Sequence, residues 1–217
     1  MHRFDYRPEI KICGLTRANE AVACAEAGAD AIGLVFYPPS PRHLTPQQAR
    51  EISLALPDQI ARVGVFANSP VSDIQKRIGD CRLTAIQLHG QESPDMVRQF
   101  CDKGIRVIKA LFIHKYPAAA FLVECGKGRL PGGNALTWNW SEVKSFGQSY
   151  PLILAGGLSP DTIARAVADA GPDAVDVSSG VEFSPGRKDI KKVRALIQAI
   201  SLCTIERPPR RIWRLPE

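Results

Sequence analysis

The sequence predicts a single α/β domain in which eight parallel strands close into a (β/α)8 barrel. Short β-branched or apolar runs alternate with longer amphipathic segments along the whole chain, and eight such runs can be counted. A chain of 217 residues that is 45% hydrophobic can also bury one full core. An open doubly wound sheet would usually carry a GxGxxG loop after its first strand, and the sequence contains no such loop.

The predicted elements follow one another in the order that a barrel requires. The eight predicted strands are 9–13, 31–36, 61–66, 84–89, 105–110, 120–124, 151–156 and 174–179. The predicted helices are 17–28, 46–56, 71–80, 94–103, 141–147, 160–170 and 189–202. Serines before Pro94 and Pro160 can cap two of these helices. The connection 111–119 is too short for a normal crossover helix, so we expect an irregular link between strands five and six.

The chain is expected to divide into a barrel over residues 1–203 and a basic tail over 204–217. Four arginines against two glutamates follow Cys203. We expect the tail to be a flexible, solvated extension, with RNA contact as the alternative. The net charge of +6 suits an anionic small molecule as readily as nucleic acid.

Composition also bears on location and metal content. No run of eighteen apolar residues is present, and the first residues lack the apolar stretch of a secretory signal. The six cysteines form no CxxC pair and have no histidines at zinc-ligand spacing. We therefore expect a cytoplasmic protein with reduced thiols, no metal and no membrane contact.

Strand parity selects the side chains that face the barrel interior, because successive side chains alternate between faces. In the first strand, Ile10 and Ile12 are assigned to the helices, which turns Lys11 and Cys13 inward. Active sites of such barrels lie at the carboxyl ends of the strands, and an unpaired charge is costly to bury. A structural alternative is that Lys11 or Lys109 simply neutralises Asp176, and that Gln87 ties strands together. The same parity turns these further polar residues inward near strand ends: Gln87, His89, Lys109, Glu124, Asp176 and Ser178.

Glycines at two neighbouring strand ends predict a phosphate site. Gly156 and Gly157 end the seventh predicted strand, and Ser179 and Gly180 end the eighth. Glycines let backbone N–H groups approach an anion closely, and these two loops of a barrel commonly bind phosphate. Either pair alone would also fit a tight turn.

Two other loops are candidates for substrate contact. Arg42 follows the second strand in a loop stiffened by three prolines, and its planar guanidinium suits a carboxylate. A surface arginine in a rigid turn is the alternative. The loop 125–140 is long and rich in glycine, with two tryptophans, and is either a cover over the site or a surface excursion.

The assembled motifs resemble those of phosphoribosylanthranilate isomerase, a family of tryptophan biosynthesis. They are KICGLT, GLVFYPPSPR, VGVF, QLHG, VIKA, LAGGLSP and VDVSSGVEFSPGRKD, in the family's order between residues 11 and 189. The resemblance implies a TIM barrel that performs a cofactor-free Amadori rearrangement. Its substrate would be N-(5′-phosphoribosyl)anthranilate, and its product the carboxyphenylamino-deoxyribulose phosphate.

The resemblance also implies residue roles. Cys13 matches the general base, Glu124 occupies the position of the general acid, and Arg42 matches the arginine that meets the anthranilate carboxylate. The implied partner is an anionic small molecule, with nucleic acid and cofactors not expected, and the enzyme would be a monomer or a homodimer. The remaining assignments are substrate contacts for Gln87, His89 and Asp176, and phosphate contacts for Gly156, Gly157, Ser179 and Gly180.

Two departures from the family pattern matter. Glu124 replaces the usual aspartate and is one methylene longer, and GGNALTWNW replaces a loop that commonly reads GGTGKTFDW. We expect Lys11 to lower the pKa of the Cys13 thiol, which is about 8.5 when free. Two alternatives are an aminoaldose isomerase of histidine biosynthesis, or a barrel that serves both pathways, and a non-catalytic phosphate-binding barrel. The first normally uses aspartates at strands one and five, where this chain has Cys13 and Lys109.

Overall fold

The computed structural model describes residues 6–110, 116–124, 138–205 and 207–213, and its centre is a closed barrel of eight parallel strands. Each strand pairs with the next, and the eighth pairs with the first. The predicted (β/α)8 barrel is therefore confirmed. The strands are β1 Glu9–Cys13, β2 Ala31–Val35, β3 Ala61–Phe66, β4 Ala85–Leu88, β5 Arg106–Ala110, β6 Ala120–Val123, β7 Leu152–Leu154 and β8 Ala174–Val177.

Helices surround the barrel close to the predicted positions. Short 3-10 turns cover Trp140–Val143 and Ser179–Val181, and an antiparallel hairpin of β9 Glu182–Ser184 and β10 Arg187–Lys188 follows the last barrel strand. The helices are α1 Ala18–Glu26, α2 Pro46–Ala55, α3 Val71–Asp80, α4 Pro94–Cys101, α5 Lys144–Ser149, α6 Ile163–Ala170 and α7 Ile190–Ser201.

The two predicted helix caps have different outcomes. Ser93 caps α4, because its hydroxyl accepts a hydrogen bond from Met96 N at 3.2 Å. Ser159 does not cap α6. Instead, its backbone N–H donates to Oγ1 of Thr162, and the segment closes as a turn before the helix begins at Ile163. In the irregular link, residues 116–119 contain no helix, and residues 111–115 lie outside the described part.

Two apolar layers hold the barrel together, one inside it and one between strands and helices. Ile10 and Ile12 pack on the helix side, as parity predicts, whereas Val63 and Leu122 lie in the interior cluster. Successive strands thus bury both faces, which is usual for an all-parallel sheet.

Parity was wrong for one strand. Ile108 of β5 lies in the interior cluster and Val107 in the outer one, so Lys109 faces outward and not into the barrel. Its ammonium donates to Glu92 Oε2 at 2.9 Å and to the carbonyl oxygens of Leu88 and Gly90. Lys109 therefore anchors the loop after β4, and it does not neutralise Asp176.

The described part of the C-terminal tail packs against the amino-terminal end of the barrel, where a flexible, solvated extension was expected. Ile212 and Trp213 are buried and join the interior apolar cluster. Their backbone N–H groups donate to Oε2 of the buried Glu9, at 2.6 and 3.0 Å. A buried carboxylate is costly without donors, and the tail supplies them.

A second buried carboxylate fixes the start of the same segment. Asp173 is fully buried just before β8, and its Oδ1 accepts hydrogen bonds from Arg207 Nη1 at 2.6 Å and from Arg210 N at 2.7 Å. Two of the arginines that suggested a solvated tail therefore bind a buried carboxylate at the base of the barrel.

Trp213→Ala should destabilise the fold by about 3–5 kcal/mol, since it removes a large buried side chain from the barrel base. Trp213 is 4% exposed. The matched control is Leu202→Ala, because Leu202 is apolar, close in sequence and 81% exposed, and its loss should change stability by less than about 0.5 kcal/mol. Urea unfolding measures both, and equal effects would mean that the tail is not packed in solution.

Candidate active site

One pocket opens at the carboxyl ends of the barrel strands, at the opposite end from the packed tail. Every residue assigned to catalysis or binding from the sequence lines it. The pocket residues include Cys13, Arg42, Gln87, His89, Glu124, Gly156, Gly157, Asp176, Ser179 and Gly180. Strands far apart along the chain thus deliver their polar ends to a single cavity, as the barrel geometry requires.

Cys13 is a buried thiol at the end of β1. Its neighbour on β2 is Gly33, where an added Cβ would lie 2.6 Å from Cys13 Sγ, so only glycine leaves room for the sulfur. The thiol lies above a buried ion pair in which Lys11 Nζ donates to Asp176 Oδ1 at 2.9 Å. The pairing of Lys11 with Asp176 matches the neutralising role considered from the sequence.

Burial raises the pKa of Cys13, and this effect outweighs the lowering by the nearby charge of Lys11. The expectation for Lys11 therefore holds in direction, but it does not decide the net shift. Lys188 also acts to lower the pKa of Cys13, and Asp176 acts to raise it. The pKa of Lys11 itself is raised: burial lowers it, but the charges of Asp176 and Cys13 more than compensate.

Glu124 ends a short hydrogen-bonded chain on another side of the pocket. Its Oε1 lies 2.8 Å from His89 Nε2, and His89 Nδ1 lies 2.9 Å from Gln87 Nε2. His89 thus links the side-chain amide of Gln87 to the carboxyl group of Glu124. The Glu124 side chain is 19% exposed, so it is open to a ligand in the pocket.

The glycine loops after β7 and β8 lie against each other. Gly156 and Gly157 adopt φ values of +83° and +68°, which L side chains rarely adopt. A Cβ on Gly180 would collide with the carbonyl oxygen of Leu158, so glycine is what allows the two loops to touch. The first N–H groups of the 3-10 turn that begins at Ser179 have no acceptor within that turn, which suits an anion.

Two tryptophans fasten the end of the long sixth loop to β7. Trp138 Nε1 donates to the carbonyl oxygen of Ala155 and Trp140 Nε1 to that of Gly156, at 3.2 and 3.3 Å. The rest of this loop, residues 125–137, lies outside the described part of the chain. The two alternatives for this loop, a cover over the pocket and a surface excursion, therefore stay predictions.

Arg42 is buried at the pocket edge and already has a carboxylate partner. Its Nε and Nη2 donate to the two carboxylate oxygens of Glu182, at 2.8 and 2.7 Å. Lys188 Nζ donates to the same Glu182 at 2.8 Å and to the carbonyl oxygen of Ser178. Sequence reasoning missed Glu182 and Lys188. Both stand inside the quoted motif VDVSSGVEFSPGRKD, but the hairpin that turns them towards Arg42 was not predicted.

The described residues contain no cluster of three or more His, Cys, Asp or Glu that could hold a metal ion. The five cysteines among them, Cys13, Cys24, Cys81, Cys101 and Cys203, are all free thiols. Within the same ranges, no helix is both long and apolar enough to cross a bilayer.

The fold and the pocket define a (β/α)8-barrel enzyme with a thiol and a carboxyl group at its mouth, beside glycine loops of the phosphate-binding kind. More narrowly, the chain belongs to the N-(5'-phosphoribosyl)anthranilate (PRA) isomerase family, whose model matches residues 10–199. An aminoaldose isomerase of histidine biosynthesis alone is thereby set aside.

Individual relatives agree with this placement. The N-(5'-phosphoribosyl)anthranilate isomerase of Desulfatibacillum aliphaticivorans is 46% identical over 94% of this chain and 98% of its own. The crystal structure of phosphoribosyl anthranilate isomerase from Thermotoga maritima has a TM-score of 0.82 at 35% identity, covering 89% of this chain and 98% of that one. A similar isomerase, in complex with reduced 1-(o-carboxyphenylamino)-1-deoxyribulose 5-phosphate, has a TM-score of 0.79 at 34% identity over the same shares.

Lys11→Met should raise the pKa of the Cys13 thiol further, because it removes the largest influence that lowers it. Ultraviolet titration of the thiolate, taken as the difference from the Cys13→Ser protein, measures the change. The control is Lys11→Met combined with Asp176→Asn, which also removes the carboxylate that raises the pKa and should bring it back towards the wild-type value. An unchanged pKa in the single variant would show that Lys11 does not act on the thiol.

Gly180→Ala should destabilise the protein by about 1–3 kcal/mol, since a methyl group is forced against the backbone of the neighbouring loop. Gly79→Ala is the matched control. Gly79 lies in α3 with nothing near the added Cβ, so this change should stabilise by about 0.5–1 kcal/mol. Urea denaturation distinguishes the two, and a neutral Gly180→Ala would contradict the close loop contact.

Proposed function

We propose that this chain converts N-(5′-phosphoribosyl)anthranilate into 1-(2-carboxyphenylamino)-1-deoxyribulose 5-phosphate, with Cys13 as general base and Glu124 as general acid. The observation that carries the proposal is the single pocket that brings together a thiol, a carboxyl group, an arginine and two glycine loops. Family membership supports the reaction, which is an isomerisation in tryptophan biosynthesis.

Two anionic ends of the substrate would hold it across the pocket. Its phosphate would be bound by backbone N–H groups of the loops that carry Gly156, Gly157, Ser179 and Gly180, all of which line the pocket. Its anthranilate carboxylate would meet Arg42. The sugar then lies between these anchors, within reach of both Cys13 and Glu124 at the pocket wall.

The chemistry needs an acid and a base at separate points around the sugar. Glu124 delivers a proton to the furanose oxygen, and the C1′–O bond breaks to give an iminium ion at C1′. The Cys13 thiolate then removes the proton from C2′, and the electron pair forms the C1′–C2′ double bond of an enolamine while the nitrogen becomes neutral. Tautomerisation of the enolamine gives the ketone, so no redox cofactor or metal is required by the balance of atoms.

Neighbouring groups suit these roles. The His89 ring, hydrogen-bonded to Glu124 and to Gln87, orients the carboxyl group. Burial raises the pKa of Cys13, which moves formation of its thiolate to higher pH, and the rate of C2′ deprotonation should rise with the thiolate fraction. Asp176, paired with Lys11, would contact the sugar from the pocket floor.

We further propose that the enzyme works in the cytoplasm without a cofactor and has no nucleic-acid or membrane partner. Its substrate is a small molecule that carries a phosphate and a carboxylate, consistent with the excess of positive charge on the chain. It acts as a monomer or a homodimer, and light scattering of the purified protein decides between them.

Glu124→Gln should lower kcat by about 10²–10⁴-fold, the usual contribution of a general acid. Glu124→Asp should keep part of the activity, because it keeps a carboxyl group and only shortens its reach. Loss of anthranilate-type fluorescence from enzymatically generated substrate measures turnover. Equal rates in the three proteins would mean that another group donates the proton.

Complementation of a tryptophan auxotroph tests the proposed function as a whole. Growth with the wild-type gene, and none with one that encodes Cys13→Ser, is the expected result. A purified wild-type protein that binds phosphate but shows no turnover would instead indicate a non-catalytic phosphate-binding barrel.

A further inference from the structure

We propose that Glu182 is a positioning residue: it holds one edge of the Arg42 guanidinium so that the other edge meets the substrate carboxylate, while Lys188 keeps the cluster cationic. This inference rests on the proposed function, in which Arg42 binds that carboxylate. It adds two residues from the hairpin after β8 to the part of the site that selects the substrate.

The geometry of the guanidinium supports this division of labour. Arginine has five N–H donors and two edges on which a carboxylate can sit in bidentate fashion. Glu182 occupies the edge formed by Nε and Nη2, at 2.8 and 2.7 Å. The second edge is formed by Nη1 and the remaining Nη2 hydrogen. Among the described residues, no protein acceptor bonds to Nη1, and Arg42 lines the pocket.

The charges around Arg42 do not cancel. Arg42 and Lys188 carry two positive charges, and Glu182 carries one negative charge, so the cluster has a net charge that attracts an anion. An Arg42–Glu182 pair alone would be neutral and would repel an arriving carboxylate from the Glu182 side. Lys188, buried and bonded to Glu182 Oε1 at 2.8 Å, removes that repulsion.

Burial lowers the pKa of Lys188, and the charge and hydrogen bond of Glu182 act in the opposite direction without fully offsetting it. Burial acts to raise the pKa of Glu182, but hydrogen bonds from Arg42 and the charge of Lys188 outweigh it, and the pKa is lowered. Glu182 therefore stays a carboxylate at neutral pH and accepts from both cations.

The backbone around the cluster is built to hold it in place. A Cβ on Gly14 would collide with Cδ of Arg42, so glycine at this position lets the arginine lie across the end of β1. The hairpin that carries Glu182 and Lys188 is fastened to α1 by Glu20, which accepts from Arg187 Nε at 2.7 Å and from Lys188 N at 2.9 Å. Glu182 is thus held on a fixed element, as a positioning residue must be.

The test compares two ligands by calorimetry: reduced 1-(o-carboxyphenylamino)-1-deoxyribulose 5-phosphate and the same molecule without its carboxylate. Glu182→Gln should weaken binding of the carboxylated ligand by about tenfold or more, the loss expected when a charge-assisted pair is misplaced. Binding of the decarboxylated ligand should change by less than about twofold. In turnover, KM should rise more than kcat falls.

The direction of the change in affinity distinguishes a positioning role of Glu182 from a role as a counter-charge alone. Glu182→Gln removes a negative charge, so a role as counter-charge alone predicts tighter binding of the carboxylated ligand. Tighter or unchanged binding of that ligand would overturn the inference. In the Arg42→Met background, Glu182→Gln should have no further effect, and an undiminished effect there would also overturn it.

Glu20→Gln is the matched control, since Glu20 anchors the same hairpin without touching Arg42. Glu20→Gln should change the affinity for both ligands equally. If it instead weakens binding of the carboxylated ligand alone, and as much as Glu182→Gln does, the effect comes from the position of the hairpin and the role of Glu182 is overturned. If Glu182→Gln does not fold, Glu182→Asp keeps the charge but shortens the reach, and it should show the same selective loss to a smaller degree. Unselective binding by Glu182→Asp would overturn the inference.

Lys188→Met tests the second half of the inference. It should weaken binding of the carboxylated ligand and make that binding less dependent on salt concentration, because the cluster loses its net positive charge. Unchanged salt dependence would overturn the role of Lys188. If the wild-type protein binds neither ligand, the proposed function itself is wrong. If the wild-type protein binds the carboxylated ligand tightly and Glu182→Gln does not weaken that binding, only the role of Glu182 is wrong.

Discussion

The ion pair between Lys11 and Asp176 is the interaction on which the rest of the site depends. It joins the first and last strands of the barrel at their seam, with Lys11 fully buried and 2.9 Å from Asp176 Oδ1. Breaking a buried pair by removing one partner typically costs about 3–5 kcal/mol, because a charge remains without compensation. The pair therefore ties β1 to β8 and also contributes to the electrostatic surroundings of Cys13, the next inward residue of β1.

The two sides of the pocket use opposite physical strategies. Around Cys13 the groups are buried and strongly charged, and their effects on the thiol pKa partly cancel. Around Glu124 the side chains are more exposed, and the carboxyl group is oriented by a chain of hydrogen bonds through His89 and Gln87. In the proposed reaction, the buried side holds the base and the more exposed side holds the acid.

The sequence predicted the barrel well because its strands are short apolar runs separated by longer amphipathic segments. It predicted the pocket because parallel strands of a barrel end on the same face, so polar strand ends such as His89 and Glu124 had to meet. Parity failed at Lys109 because Val107 and Ile108 are both apolar in a strand buried on both faces, and such a strand carries no alternation to read.

Other features depend on contacts that no local pattern reports. Arg42 and Glu182 are 140 positions apart, and only the folded hairpin brings them together. The tail was misjudged for a related reason. Its arginines and prolines dominate the composition, while the buried carboxylates that bind it, Glu9 and Asp173, lie elsewhere in the chain.

The packed tail has a consequence for how the chain folds as it leaves the ribosome. Glu9 belongs to the first strand, yet its backbone donors, the N–H groups of Ile212 and Trp213, are synthesised 203 and 204 positions later. Until then the base of a nascent barrel exposes a carboxylate and an apolar opening to water. Such distant pairings form slowly, because a long loop must close before they contribute. Final consolidation of the barrel therefore waits for the tail, and a stalled chain that lacks this segment is a natural target for chaperones and proteases.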